Sequence, residues 1–400
     1  MYLVLSGISI KYIVLFSLII FLPSCDRSTY EIHMNAFVAD AHNNILLKAM
    51  DGQNILTYLN HTHSDLEKFK TGGVDLQAFT VWVDPEKFTD KDYFLRADNM
   101  ISKLEYLCSR IPNNWKIIKS YQDINNNIRR NIMSCMIGVE GGHVIGKDIN
   151  KIEYLYDRGM RYFGLTSDNS NYIGTSARDE TLKRFKLNKM GLTNFGRKVI
   201  SECNRLGIMV DISHVGEKTF WDVVDVASKP LIASHSSVHK ICPNYMNLKD
   251  DQLKAIQNNG GVVFINFYPG YIDSTYSSKE ELINLKYEYQ IEKLADSYDT
   301  SSTSYLFAKT EILKQEKSKI VPTINEVVNH IEYVSDLIGV NHVGIGSNFD
   351  GVDIMPAGLE NVSKLPFLTK KLLDRGFTIR EVRKILGDNF KRVLRRLVIK

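Results

Sequence analysis

The stretch NFGRKVISECNRLGIMVDISHVGEKTFWDVVDVASKPLIASH (194–235) decides the fold class of this 400-residue chain. Its segments are an apolar-periodic helix over 194–207, an apolar run over 207–214, a second helical pattern over 217–228 and a second apolar run over 230–235. Each apolar run is short and nearly continuous, which is typical of a strand buried on both faces. Strands of this kind that alternate with helices predict a parallel sheet covered by helices.

Eight such apolar runs occur along the chain, most of them separated by helical patterns. They are AFVADAH (36–42), VDLQAFTVWV (74–83), NIMSCMIGVE (131–140), YFGLT (162–166), GIMVDISH (207–214), PLIASH (230–235), GVVFINF (261–267) and HVGIGSN (342–348). Eight strand–helix units over residues 26–400 favour a single α/β domain, a (β/α)8 TIM-type barrel, over a doubly wound sheet. The charged, tyrosine-rich segment 273–320 interrupts the pattern, and we interpret it as a helical insertion between strands 7 and 8.

Residues 1–25 are predicted to be a signal peptide that is not part of the fold. Their apolar run, from Tyr12 to Leu22, is shorter than the ~20 residues of a membrane span. The run ends in LPSC, which resembles a bacterial lipobox with Cys25 as the lipidated residue. We therefore expect an exported lipoprotein, held at the membrane by an N-terminal lipid anchor and facing the periplasm or the cell surface of a bacterium.

The charge and the cysteines exclude some classes of function. The net charge is +4 with acidic and basic residues interspersed, so nucleic acid is not an expected partner. The four cysteines after residue 25 contain no CxxC pair, which excludes a zinc knuckle, and we assign no disulfide among them.

Several of the predicted strands end in a side chain that binds metals. Strand 1 ends in His42, strand 3 in Glu140, strand 5 in His214 and strand 6 in His235. In a (β/α)8 barrel the carboxyl ends of the strands converge on the active site. Imidazoles together with a carboxylate are ligands that Zn²⁺ selects, so the pattern predicts a zinc site.

Long segments of the chain are similar to a known family. They are DAHNN (40–44), GVEGGH (138–143), GLTNFGRKVISECNRLGIMVDISHVGEKTFWDVV (191–224), ASHSSVHKICPNYMN (233–247), GGVVFINFY (260–268) and HVGIGSNFDGV (342–352). They resemble the membrane (renal) dipeptidases, zinc peptidases built on the amidohydrolase-type barrel, and the resemblance covers most of residues 33–395. It implies a zinc-dependent hydrolase that cleaves dipeptides or peptide fragments.

The resemblance also implies a metal centre of two zinc ions. In the family, a His-x-Asp pair on strand 1 and an Asp on strand 8 hold one zinc, and a Glu bridges to a second zinc held by two histidines. The residues at matching positions are His42, Glu140, His214 and His235, but Asn44 and Asn348 stand where the two aspartates would be. An amide is a weak zinc ligand and accepts no proton, so the family's general base is missing at Asn348. We expect one zinc per chain, held by Glu140, His214 and His235.

The family's substrate contacts are altered as well. Ser167 replaces a histidine that helps to polarise the scissile carbonyl, and Met246 replaces an arginine that holds the substrate's carboxylate. Tyr271 matches a family tyrosine at the carbonyl, and Asp350 is a candidate to take over the role of the base.

Two hypotheses follow for the function. The first is an exported metallodipeptidase with an impaired or single-metal site, and the second is a catalytically weak barrel that binds a peptide or a cell-wall fragment. Both imply a small peptide as the ligand. The sequence leaves the oligomeric state open, with a homodimer among the alternatives.

Overall fold

A computed structural model describes residues 27–184, 190–300 and 302–397 of the chain. Its strands all run parallel in one sheet. The strands are β1 (Ala39–Asn43), β2 (Leu76–Trp82), β3 (Trp115–Ile117), β4 (Met133–Glu140), β5 (Met160–Gly164), β6 (Met209–Asp211), β7 (Ile232–Ser236), β8 (Val262–Ile265) and β9 (Val343–Ile345). Since β2 pairs with both β1 and β4, and β9 with both β8 and β1, the sheet closes into an eight-stranded barrel. The predicted TIM-type fold is confirmed.

The strand β3 is an addition to the eight predicted strands. It pairs with the first residues of β4, beside the place where β5 joins β4 further along. With three residues it is too short to give a period-two pattern in the sequence. Its Trp115 is buried and packs edge-on against Phe69, so β3 belongs to the layer of side chains between sheet and helices.

Helices cover the outside of the barrel. They are α1 (Arg27–Met34), α2 (Ile45–Met50), α3 (Leu66–Thr71), α4 (Tyr93–Arg110), α5 (Tyr121–Arg129), α6 (Asn150–Asp157), α7 (Ala177–Thr181), α8 (Asn194–Leu206), α9 (Glu217–Val226), α10 (Asp250–Asn259), α11 (Pro269–Ile272), α12 (Tyr276–Ala295), α13 (Thr303–Lys317), α14 (Ile324–Ile338), α15 (Leu365–Asp374), α16 (Ile379–Arg383) and α17 (Asn389–Leu397). A π-helical turn, Lys384–Asp388, joins the last two helices. The helix α8 ends at the left-handed Gly207, as the sequence predicts, and it begins at the cap Thr193, whose side chain accepts from the N–H of Gly196.

Two cores stabilise the fold, one between the sheet and the helices and one inside the barrel. The inner core contains strand residues such as Ala39 and Phe264, and three side chains of α17 complete it: Phe390, Val393 and Leu394. Since Ala39 is the first residue of β1, α17 closes the barrel at the amino ends of the strands. The opposite end, where the strands finish, is left for the site.

The segment between the last two barrel strands contains α11, α12 and α13, and α12 packs against α13. No helix in the described ranges is both long enough and apolar enough to cross a membrane. The predicted lipidation site, Cys25, lies outside the described residues.

A candidate metal centre at the carboxyl ends of the strands

The barrel brings the predicted metal-binding side chains to one end. His42 is the penultimate residue of β1, Glu140 is the last of β4, and His235 lies near the end of β7. His214 and Asn348 each follow the last residue of a short strand, β6 or β9, by three positions, and both have left-handed backbones with φ of 66° and 62°. Such a backbone is uncommon for residues other than glycine and is concentrated at functional sites.

Just after these short strands end, side-chain carboxylates accept hydrogen bonds from backbone N–H groups. Asp211 accepts from the N–H groups of Ser213 and Ser234, and Asp40 accepts from the N–H of Ser347. Burial raises the pKa of Asp40 to about 6, although the hydrogen bonds from Ser347 oppose the shift. Carboxylates, not neighbouring strands, thus satisfy the N–H groups of Ser213 and Ser347, and the residues that follow are free to turn into the site.

Four metal-binding side chains form one compact cluster. Oε2 of Glu140 lies 3.4 Å from Nε2 of His42, and Oε1 of Glu140 lies 3.2 Å from Nε2 of His214. The Nε2 atoms of His214 and His235 are 2.9 Å apart, and the ring of His235 stacks on that of His42 with centroids at 3.7 Å. One ligand atom each of His42, Glu140 and His235 lies within 4.8 Å of the others.

The Nδ1 atom of each of the three imidazoles contacts another side chain. Nδ1 of His214 donates to Asp168 at 3.1 Å, and Nδ1 of His235 lies 2.8 Å from the hydroxyl of Ser234, which itself donates to Asp211. Nδ1 of His42 faces the hydroxyl of Tyr162 at 3.4 Å. Partners on Nδ1 fix the ring orientation, so that Nε2 of His42 and of His214 faces Glu140 and Nε2 of His235 faces that of His214.

The carboxylates of the cluster favour a positive charge on His214. Burial lowers the pKa of His214, but the carboxylates of Asp168 and Glu140 outweigh it and raise that pKa to about 10. Burial and the neighbouring rings of His42 and His214 lower the pKa of His235 well below its ordinary value. Against the effect of burial, His214 and His42 together lower the pKa of Glu140.

The residues of the cluster fit a zinc ion. Two ligands of one tetrahedral zinc, each at ~2.1 Å from it, lie about 3.4 Å apart. The separations of 2.9 to 3.4 Å that link Glu140, His42, His214 and His235 are close to that spacing. Three imidazole nitrogens and one carboxylate are also the donor types that zinc prefers.

The two amides at the positions where the resemblance implies aspartates bind each other. Asn44 donates through Nδ2 to Oδ1 of Asn348 at 3.0 Å, and the same Nδ2 lies 3.2 Å from Nε2 of His42. A Cβ on the neighbouring Gly351 would come within 2.1 Å of Asn348 Oδ1 and 2.4 Å of Asn44 Nδ2, so the pair is tightly enclosed. The amide pair thus presents a donor to the cluster where carboxylates would present acceptors.

The residues predicted to contact a substrate lie around the cluster. Ser167 is buried, donates to Oε1 of Glu140 at 3.0 Å and accepts from the indole N–H of Trp82 at 2.9 Å. Met246 lines a cavity of about 300 Å³ that also reaches His214 and the ring of Tyr245. Ser167 therefore orients the metal-binding carboxylate, and Met246 offers an apolar wall.

Two further candidates are held by groups other than the cluster. The carboxylate of Asp350 accepts from the N–H of His63 at 2.8 Å and from the hydroxyl of Ser64. Tyr271 packs edge-on against Tyr268 with ring centroids at 4.8 Å. Burial and the neighbouring Tyr245 raise the pKa of Tyr271 well above its ordinary value, which keeps its hydroxyl protonated.

The sequence did not assign roles to the residues that orient the ligands, namely Tyr162, Asp211, Ser234 and Trp82. A signal for two of them was present: Asp211 stands three residues before His214, and Ser234 immediately precedes His235. The contacts of Tyr162 and Trp82 join different strands and loops, so spacing along the chain does not reveal them.

Comparison with known families agrees with this geometry. Residues 27–398 match the membrane dipeptidase family, peptidase family M19. The chain belongs to this family. It is 29% identical over 366 residues to mouse dipeptidase 3, a match that covers 90% of this chain and 64% of the mouse protein.

Solved structures show the same barrel. The dipeptidase AC, described as a metallopeptidase of family M19, is 25% identical with a TM-score of 0.73, over 91% of this chain and 99% of its own. The probable dipeptidase PvdM from Pseudomonas aeruginosa is 20% identical with a TM-score of 0.77, over 93% of this chain and 98% of its own. At 20% identity, the similarity to PvdM shows the fold alone.

Proposed function

We propose that this family member is an exported, zinc-dependent hydrolase of dipeptides or peptide fragments that works slowly with a single metal site. The observation that carries the proposal is the hydrogen bond between Asn44 and Asn348 beside a cluster in which His42, Glu140 and His235 could hold a metal ion and His214 contacts Glu140 and His235. The two amides form a hydrogen bond with each other, while the remaining ligands keep the spacing that one zinc requires.

The roles of the residues follow from their contacts. Glu140, His214 and His235 would hold the zinc, with His42 stacked against them. A zinc ion there would supply Lewis-acid polarisation of a substrate carbonyl. Asp168 keeps Nε2 of His214 turned inward, and the cavity beside Met246 would accept an apolar part of the peptide.

A second candidate function is a barrel that binds peptides without turning them over. Three observations favour it: Asn348 cannot accept a proton, the hydroxyl of Ser167 is engaged by Glu140 and Trp82, and Met246 brings no charge for a terminal carboxylate. A substrate bound without these contacts would be poorly positioned, and a small misplacement alone can cost ~10²-fold in rate.

Export and anchoring through a lipid on Cys25 remain part of the proposal, and a homodimer remains an alternative for the assembly. The anchor is tested by expressing the full chain and its Cys25→Ser variant in a bacterium and following a labelled fatty acid. We expect label and membrane association in the unmodified chain alone. Label on both proteins, or on neither, would refute lipidation at Cys25.

The activity is tested with purified protein, a panel of dipeptides and zinc analysis. We expect about one zinc per chain and slow hydrolysis that is lost, together with the zinc, in Glu140→Gln. Glu288→Gln, a change at an exposed position of the insertion helix α12, is the matched control and should keep both. Dipeptide binding without hydrolysis would support the second candidate, and neither binding nor hydrolysis would refute both.

A further inference from the structure

Basic side chains are concentrated at the end of the barrel opposite the candidate metal centre. Between residues 379 and 397 there are seven cations and two acids, so the rest of this chain of net charge +4 is nearly neutral. The small net charge of the whole chain therefore does not reveal this local excess of cations. The cations are Arg380, Arg383, Lys384, Lys391, Arg392, Arg395 and Arg396; we call them the basic floor.

The helix α17 fixes the position of the basic floor. Its Phe390, Val393 and Leu394 are buried in the core inside the barrel, and Arg395 and Arg396 are exposed on the other side of the helix. A short helix with an apolar face in a core and a cationic face outside cannot rotate without losing the core contacts. The basic floor is therefore a rigid outer surface at the amino ends of the strands.

The charges of the basic floor are poorly compensated. Within the described ranges, no acidic side chain forms an ion pair within 4.0 Å with any of its seven cations. The two acids of the segment are Glu381, which binds Thr378 at the start of α16, and Asp388, which lies between the grooves described next. Burial and the nearby Arg396 lower the pKa of Arg392, as expected where cations crowd together.

Two grooves flank Asp388 and give the floor concave binding surfaces. One, of about 470 Å³, is lined by Tyr121, Lys391, Arg395 and Arg396 among others. The other, of about 600 Å³, is lined by Ile379 together with Arg380, Arg383 and Lys384. Ile379 is 47% exposed, which places an apolar side chain directly beside three cations. Cations around an exposed apolar side chain are typical of a surface that contacts phospholipid headgroups.

We propose that the basic floor docks on an anionic phospholipid surface and so turns the mouth of the barrel away from the membrane. The inference rests on the proposed anchoring of the chain, because a lipid on Cys25 would hold the protein at such a surface. The path of the chain agrees with it: Phe37, twelve residues after Cys25, lies beneath Lys391, whose Nζ is 4.8 Å from the ring centroid. A tether makes even weak docking effective, since it raises the local concentration to roughly millimolar.

The docking can be measured without the anchor and without activity. The protein is the full chain with Cys25→Ser, and the probe is sedimentation with vesicles of phosphatidylcholine alone or with about one third phosphatidylglycerol. Each cation near such a surface is worth ~1 kcal/mol, or about fivefold in the partition coefficient. Arg383→Gln combined with Arg395→Gln and Arg396→Gln should therefore weaken binding to the anionic vesicles roughly 100-fold.

The matched control is Lys91→Gln combined with Lys240→Gln, which removes two exposed cations from loops at the carboxyl ends of β2 and β7. We expect the control to bind like the parent and the parent's binding to fall when salt rises from about 0.1 M to about 0.5 M. Circular dichroism shows whether the triple variant is folded; single Arg→Gln changes, each costing about fivefold, replace it if it is not.

Equal binding to both kinds of vesicle, no binding to either, or equal loss in the control would overturn the proposal. Tighter binding to a DNA duplex than to anionic vesicles would overturn it in favour of a nucleic-acid surface, and competition by free phosphate at matched ionic strength would point to a soluble anion. Since no outcome depends on zinc or on hydrolysis, failure here is separable from failure of the proposed enzyme. The fatty-acid label tests the anchor separately.

Discussion

The amide pair predicts what happens when the family's two aspartates are restored. In the chain as it is, Asn44 donates to Asn348 at 3.0 Å. With Asn44→Asp and Asn348→Asp, two carboxylates would stand at that separation and repel by about 5 kcal/mol at an effective dielectric constant of 20. That is comparable to the whole stability of a domain, ~5–15 kcal/mol. Both carboxyls can ionise only if a divalent cation lies between them.

We therefore expect the double variant to bind about two zinc ions per chain and to melt at a much lower temperature once a chelator removes them. Each single variant should keep about one zinc, because the amide that remains can turn its NH₂ group toward the new carboxylate. Hydrolysis by the double variant should still lag, since Met246 and Ser167 leave the substrate's carboxylate and carbonyl unheld.

The assay compares wild type, both single variants and the double variant by zinc analysis, by thermal melting with and without chelator, and by hydrolysis of a dipeptide panel. Two tightly bound zinc ions in the wild type would refute the reasoning. Rapid hydrolysis by the wild type would refute it too, and would move the role of the base to Asp350, Asp40 or Asp168.

Three further predictions follow from named contacts. Asp168→Asn leaves His214 without its charged partner and should weaken zinc binding ~10–100-fold in competition with a chelator; unchanged affinity would remove His214 from the ligand set. Phe390→Ala opens the core inside the barrel, where the ring packs 4.6 Å from Phe264, and should cost ~3–5 kcal/mol in urea unfolding; a cost below ~1 kcal/mol would show that α17 does not close the barrel. Burial raises the pKa of Asp75 to about 6, against opposing effects of Val38 N–H and Lys391, so its contribution to stability falls as pH rises from about 4 through 6. The free energy of unfolding of Asp75→Asn, measured relative to wild type, should thus rise by up to ~3 kcal/mol between pH about 4 and 6. A difference in unfolding free energy that does not change with pH would contradict the raised pKa.

The barrel was predictable because its strands are buried on both faces and each is followed by a helix with clear ends. The run 207–214, for example, is apolar enough to be found alone, and Thr193 and Gly207 mark the limits of the helix before it. The lengths of the strands were less predictable. The run 207–214 contributes only Met209–Asp211 to the sheet. The N–H of Ile212 still donates to the carbonyl of Ile232 in β7, but the N–H of Ser213 donates to the side chain of Asp211. Contacts of that kind depend on the neighbouring strand.

The convergence of the three histidines and Glu140 at one end of the barrel was predictable from the strand ends, but the contact between the rings was not. Resemblance placed His42 with Asn44 at one metal position and His214 with His235 at the other. In the structure Nε2 of His42 lies 3.2 Å from Nδ2 of Asn44 and 3.4 Å from Glu140, and the ring of His42 also stacks on that of His235. Ring stacking is set by the curvature of the barrel and the closeness of β1 to β7, neither of which can be read from spacing along the chain.

The presence of two amides at positions 44 and 348, where the resemblance implies two aspartates, has a physical reason in the enclosure of the site. A lone carboxylate at position 44 or 348 would lie close to Glu140 without a second metal ion to balance it, and an uncompensated buried charge costs several kcal/mol. Two amides remove both charges and also satisfy each other, since Asn44 donates and Asn348 accepts at 3.0 Å. Nε2 of His42 lies 3.2 Å from the same NH₂ group. One metal position can therefore be given up as a unit while the ligands of the other stay in place, and the energetic coupling between the two amides is what a double-mutant cycle on Asn44 and Asn348 would measure.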